Sequence, residues 1–330
     1  MEASAMMRLL VNDHLTCLPG TKTFWHDLQE WFGMEFVGGD YGELAGIAQK
    51  RVESGGASLI IRNASWFPPI NGGIPTISLL QDILEGAQRE MQQKVMDTSR
   101  AMVFNSKFTK HKFTSDVEQK YKWTDGLLEQ ARAPVIPLPV DFSLFEPGNA
   151  MGLQQALSLP DGCVCWIGAC QDAAGQIKGW DTFLSIVRQN PDIPFVAVFK
   201  DQPPDDCPPN MRMFTRLPHE ELVKVIGACR VGLCTSRTET QHLAGIEMGA
   251  CGLPMVAPEV GTYWKRDNIP GILVDMEGTP ENYFSAIRFA TKEADDPQQI
   301  RSYWQKEFDR PVIKAAWTKL IEEAECSGQS

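Results

Sequence analysis

Nothing in this 330-residue sequence approaches the roughly 20 consecutive apolar residues that a bilayer-spanning helix needs. One of the longest apolar runs is only Cys163-Val-Cys-Trp-Ile-Gly-Ala-Cys170. Positive charge is also scarce. Lys and Arg number 31 against 42 Asp and Glu, a net charge of −11. That field disfavours nonspecific binding to nucleic acid or to an anionic membrane. No Asp-x-Asp occurs, so a metal-bridged diphosphate has no support. No Gly-x4-Gly-Lys-Ser/Thr occurs either, so Gly20 and Lys22 do not form a P-loop. The five histidines share no spacing, and neither a histidine nor a second cysteine pair accompanies Cys163, Cys165 and Cys170 at zinc-ligand intervals. The 27 glycines and 22 prolines are dispersed, which excludes collagen-like and low-complexity chains. The first residues start acidic and lack an apolar core, so no signal peptide is expected. The expectation is a cytoplasmic protein with free thiols among its nine cysteines.

What is present is enough apolar material, 43%, for two buried cores. Short apolar runs alternate with longer amphipathic ones, the pattern of a parallel sheet covered by helices. In the first half the strands are expected at Met7–Val11, Glu35–Val37, Ala57–Arg62, Thr76–Leu80, Ala101–Asn105 and Pro134–Leu138. Helices are expected at Phe24–Phe32, Glu43–Val52, Ile83–Met96 and from Lys107. Pro137 to Pro147, followed by Gly148-Asn149, reads as a linker. The alternation then restarts, with strands at Cys163–Gly168, Phe195–Phe199, Met211–Thr215, Val231–Thr235, Pro254–Ala257 and Gly271–Val274. Helices are expected at Trp180–Gln189, Glu220–Cys229, Leu243–Ala250, Glu281–Thr291, Pro297–Phe308 and Pro311–Glu325. The fold class is α/β: two doubly wound domains, residues 1–147 and 148–308, with residues 309–330 as a final helix.

The most informative stretch runs from Val231 to Ala257. A strand ends at Thr235–Ser236, a polar loop carries Glu239, and a helix begins near Leu243 and stops at Gly252-Leu-Pro254. A helix starting at the carboxyl end of a parallel strand directs free backbone N–H groups at a diphosphate. Glu239 is placed to reach sugar hydroxyls, and Glu247, two turns into the helix, to accept from a ribose diol.

Glu239-x7-Glu247, followed by Gly-Ala-Cys-Gly-Leu-Pro, resembles the Glu-x7-Glu signature of the family-four retaining glycosyltransferases of the GT-B fold. Other segments are similar to that family in the same order: Val135-Ile-Pro-Leu-Pro-Val-Asp to its inter-domain linker, Lys178-Gly179-Trp180-Asp181 to its lysine-glycine motif, Phe214 to Leu222 to its base-side loop, and Val260-Gly261 to its valine-glycine. The resemblance covers most of residues 135–265. It implies two facing Rossmann-like domains, the first for the acceptor, and a last helix that crosses back to it. The implied activity is transfer of a sugar, a hexosyl group, from a nucleotide-diphosphate sugar to an acceptor hydroxyl, with retention and without a cofactor or essential metal. The acceptor is left open: saccharide, lipid, protein or modified nucleic acid. By residue, the resemblance implies Glu239 on the donor sugar, Glu247 on the ribose, Lys178 on the leaving diphosphate, and Thr240, Gln241, His242, Leu243 and Ala244 around the donor. Gly20, in the glycine loop after the first strand, is a donor-binding candidate, and Asp82, a catalytic candidate with Glu239 and Lys178, falls where the family often has histidine-aspartate, with Gln81 in the histidine's place.

The sequence also departs from the family. Gly168 is followed by Ala169-Cys170-Gln171 where an arginine is usual, which leaves Arg216 or Arg237 to supply that phosphate contact. Thr240-Gln241-His242 replaces glycine-phenylalanine-glycine. Other classes therefore stay open: a nucleotide-sugar epimerase or phosphorylase on the same fold, or a catalytically dead GT-B module that binds a nucleotide sugar or a partner. The run from Lys107 to Phe113 with Lys120, Tyr121, Lys122 and Trp123 reads as a solvated helix and loop, or alternatively as a surface for an anionic acceptor. Trp66, beside Pro68-Pro69, is a candidate floor for an acceptor site.

Overall fold

Both sheets are built from near-continuous apolar strands, and all of their pairings are parallel. The computed structural model describes residues 7–11, 19–38, 41–54, 57–63, 73–81, 98–121, 133–148, 150–275, 278–292 and 296–326. The expected helix Ile83–Met96, Asp82 and Trp66 lie outside them.

In the first sheet the strands are β1 (Met7–Val11), β2 (Glu35–Val37), β3 (Ala57–Asn63), β4 (Thr76–Leu80) and β5 (Ala101–Phe104), in the order β2-β1-β3-β4-β5. Helices α1 (Pro19–Phe32), α2 (Tyr41–Glu53) and α3 (Lys107–Tyr121) accompany them. β4 and β5 are buried at every position, as expected of strands covered on both faces. The expected strand Pro134–Leu138 is reduced to a single bridge between Val135 and Phe104. Pro134, Pro137 and Pro139 lack the N–H that a ladder needs.

The second sheet contains β6 (Val164–Gly168), β7 (Phe195–Phe199), β8 (Met211–Thr215), β9 (Val231–Leu233), β10 (Met255–Pro258) and β11 (Gly271–Val274), in the order β11-β10-β9-β6-β7-β8. Strand order reverses between β6 and β9, so the carboxyl ends of those two strands form the switch point where ligands bind in open α/β sheets. Around the sheet are α4 (Ala150–Leu157), α5 (Asp172–Lys178), α6 (Trp180–Gln189), α7 (His219–Gly227), α8 (Leu243–Ala250), α9 (Pro280–Lys292) and α10 (Pro297–Phe308). α4 and α5 were not foreseen from the sequence. On one face the core gathers Val225, Ile246, Met248 and Trp304; on the other, Trp166, Phe183, Phe199 and Ile287.

The chain divides into residues Met1–Pro139 with Pro311–Ser330, and residues Val140–Arg310. The first break precedes the Gly148-Asn149 pair because Phe142 and Phe145 are already in the second unit's core. The Arg301 guanidinium also donates to the carbonyls of both phenylalanines. The final helix, α11 (Arg310–Cys326), is grouped with the first unit. Trp317 is fully buried with its ring 5.8 Å from that of Phe24, and Arg8 pairs bidentately with Glu325 at 2.8 and 2.9 Å.

Candidate active site

Two loops of the second unit are stitched together at the carboxyl ends of β6 and β9. Gly179, directly after α5, has φ of 64°, and a Cβ there would lie 1.9 Å from the Thr235 carbonyl oxygen. Only glycine allows that approach at that backbone angle. The Thr235 hydroxyl donates to the Lys178 carbonyl at 3.0 Å and accepts from Trp166 Nε1 at 3.0 Å, and the Arg237 N–H donates to the Ile177 carbonyl at 2.9 Å. The result is to bring Lys178 Nζ within 2.5 Å of Glu239 Oε1, which also accepts from the Ser236 hydroxyl at 2.7 Å. The Glu239 side chain is only 9% exposed. Burial opposes its ionisation, but the charge and hydrogen bond of Lys178 with the Ser236 hydroxyl outweigh burial, and its pKa lies below the usual value.

Glu239 is followed by the turn into α8. His242 caps that helix in a left-handed conformation, φ 68°, and its Nδ1 shares a 2.7 Å hydrogen bond with the Tyr263 hydroxyl. Gly245 makes room for this pair, since a Cβ there would lie 1.8 Å from the Tyr263 oxygen. Burial lowers the His242 pKa to about 4, with Glu239 pulling the other way and Lys178 and Lys200 adding to the fall. The imidazole is therefore neutral at pH 7 and contributes shape and hydrogen bonding rather than charge. Among the described residues, the backbone N–H groups of Leu243 and Ala244 at the start of α8 donate to no partner. Gln241 is buried beside them, and its carbonyl accepts from the Thr262 N–H at 3.0 Å. Thr240 and Leu243 are half-buried, and Ala244 is buried.

Glu247 is half-buried on α8, with burial raising its pKa against the opposing pull of Lys200 and His219. Thus Lys178, Glu239, His242 and Glu247 are electrostatically linked, directly or through Lys200. Lys200, just beyond β7, is a charged member of this group that the sequence did not single out. Arg237 is not brought into the group: its guanidinium donates to Asp181 at 2.5 Å and to the Gln176 carbonyl at 3.1 Å. Arg216 is exposed after β8, with φ of 49° and its Nε donating to the Lys200 carbonyl at 3.4 Å. Gly20 lies in the first turn of α1 rather than in a loop, because the helix begins at Pro19. Among the described residues, no three His, Cys, Asp or Glu side chains gather as a metal-holding group. Among them too, no helix is long and apolar enough to cross a membrane.

Two Rossmann-like units with these strand orders are the architecture of the GT-B fold. Comparison with known proteins agrees. The chain is 29% identical over 181 residues to the D-inositol 3-phosphate glycosyltransferase of Acidothermus cellulolyticus, a match covering 48% of this chain and 40% of that enzyme. It is 28% identical over 174 residues to the enzyme of the same description from Segniliparus rotundus, covering 46% and 38%. The chain thus spans about two fifths of the length of the curated relatives it matches. Among solved structures it is similar to sucrose-phosphate synthase from Thermosynechococcus elongatus, with a TM-score of 0.75 and 14% identity over 98% of this chain and 100% of that one. It is also similar to Anabaena HepE in complex with UDP and glucose, with a TM-score of 0.70 and 16% identity over 96% and 99%. No protein-family model matches the chain.

Proposed function

We propose that this chain is a retaining, metal-independent hexosyltransferase that uses a nucleotide-diphosphate sugar. The observation that carries the reading is the Lys178–Glu239 pair held beside the start of α8, at the carboxyl ends of β6 and β9. When the donor's C1–oxygen bond breaks, negative charge builds on the diphosphate. Lys178 and the N–H groups of Leu243 and Ala244 stabilise it, a role that needs no metal ion. The acceptor oxygen bonds to C1 on the face the diphosphate leaves, and its proton passes to a departing phosphate oxygen. Glu239 holds the sugar hydroxyls and Glu247 the ribose. The UDP and UDP-glucose complexes of HepE make a UDP-sugar the first donor to try. Free thiols among the described cysteines fit a reducing, cytoplasmic setting.

A panel of UDP-, GDP-, ADP- and TDP-sugars, followed by NMR of the released sugar, tests this. Slow hydrolysis of one donor with its anomeric configuration kept is the expected result. Interconversion of two donors would make the protein an epimerase. Binding without any turnover would make it a binding module.

A further inference from the structure

Lys200 leaves β7 directly beside the end of β6. Phe199 pairs with Gly168 in register, and the Lys200 N–H donates to the Gly168 carbonyl at 2.9 Å. Its ammonium makes no salt bridge among the described residues, whereas Lys178 is paired with Glu239. Lys200 is exposed at the surface, yet the protein around it and the nearby charge of Lys178 push its pKa down, and Glu247 and Glu239 restore only part of it. A cation held near a second cation is relieved of part of that repulsion when an anion arrives between them.

Of the two arginines at this edge, Arg237 is tied to Asp181, while Arg216 follows β8, one strand further from the end of β6 than Lys200, and has its Nε on the Lys200 carbonyl at 3.4 Å. The N–H groups of Cys170 and Gln171, before α5, donate to the Asp201 carboxylate at 3.0 and 2.8 Å. The loop after Gly168 thus gives its backbone donors to the protein's own carboxylate. A diphosphate carries more negative charge than one ammonium shared with Glu239 can neutralise.

We propose that Lys200 is a second binding cation for the diphosphate of the donor, acting with Lys178 across the ends of β6 and β7. This rests on the donor reading given above. Lysine suits the task as a compact charge on a flexible stem that can turn toward either phosphate.

The test is calorimetry of the intact chain with UDP, GDP, ADP and TDP, with the parent nucleoside of the tightest binder titrated by NMR. Lys200→Met is expected to weaken that diphosphate about tenfold. It should leave the nucleoside within about twofold and not lower the melting temperature. Lys200→Arg should recover most of the loss. Unchanged diphosphate affinity in Lys200→Met, with a clear loss in Lys178→Ala, would overturn the role of Lys200 and leave the donor reading standing. An equal loss for nucleoside and diphosphate would make Lys200 a structural residue. Failure of the unaltered protein to bind any of the four diphosphates would overturn both.

Discussion

Glu239 and Glu247 bracket one loop-and-helix segment but sit in opposite electrostatic settings. Glu239 is matched: it accepts from Lys178 and Ser236, and its pKa falls below the usual carboxylate value despite burial. Glu247 is unmatched: burial raises its pKa, and neither Lys200 nor His219, which oppose that rise, makes a salt bridge with it among the described residues. The matched end is organised before a ligand arrives, which suits the place where charge changes during reaction. The unmatched end carries a carboxylate and an ammonium that make no salt bridge among the described residues, which suits binding.

The largest expected effect is at the matched end. Glu239→Gln keeps the size of the side chain but removes the charge that Lys178 faces. It should lower kcat by about 10²–10³ while nucleoside diphosphate affinity changes little, as read by donor turnover and calorimetry. Full turnover in this variant would erase the contrast between the two ends.

A smaller effect is expected at His242, which responds to both ends. Its folded pKa of about 4 lies below the unfolded value near 6.5. The unfolded chain therefore binds the extra proton between those values, and stability is complete above pH 6.5 and declines as pH falls toward 4. From pH 7 to pH 5 the loss should be about 1–2 kcal/mol. Asn tolerates the left-handed backbone, so His242→Asn should flatten this decline in urea melts taken across that window. An identical pH slope in the two proteins would mean that His242 ionises freely in the folded state.

The smallest effect is at the unmatched end. The raised Glu247 pKa means that its ionised form disfavours the fold, so its contribution is best at low pH and worsens as pH rises through the folded value. Glu247→Gln should raise Tm at pH 7 by a few degrees at most, while increasing donor KM about three- to tenfold. A lower Tm would show that Glu247 is paired in solution and that the two ends are alike.

The contrast was only partly legible in the amino-acid sequence. The strands announced themselves as apolar runs, and the Glu239–Glu247 spacing pointed to the loop and helix of the candidate site. α5 was missed because Asp172-Ala-Ala-Gly-Gln-Ile-Lys178 is too short to show a helical stripe and contains a glycine. Lys200 was missed for a different reason. Within Phe199-Lys-Asp-Gln202 nothing marks it, and the role proposed for it rests on the β6–β7 register that sets it beside Gly168. Arg237 looked available as a phosphate ligand because its partner Asp181 is distant in sequence and becomes adjacent only once Gly179 lets the two loops touch. For Lys200 and Arg237 alike, a contact between distant segments decides what the residue can do.

The grouping of α11 with the first unit has a consequence for the order of events during synthesis. Residues Val140–Arg310 form one uninterrupted stretch, so everything this unit needs leaves the ribosome together. The first unit is split: Trp317 and Glu325, the partners of Phe24 and Arg8, are made only after the whole of the second unit. Domains usually mature in the order they are translated. Here the later one can be finished first, while the earlier one stays open on the flank that α11 will close.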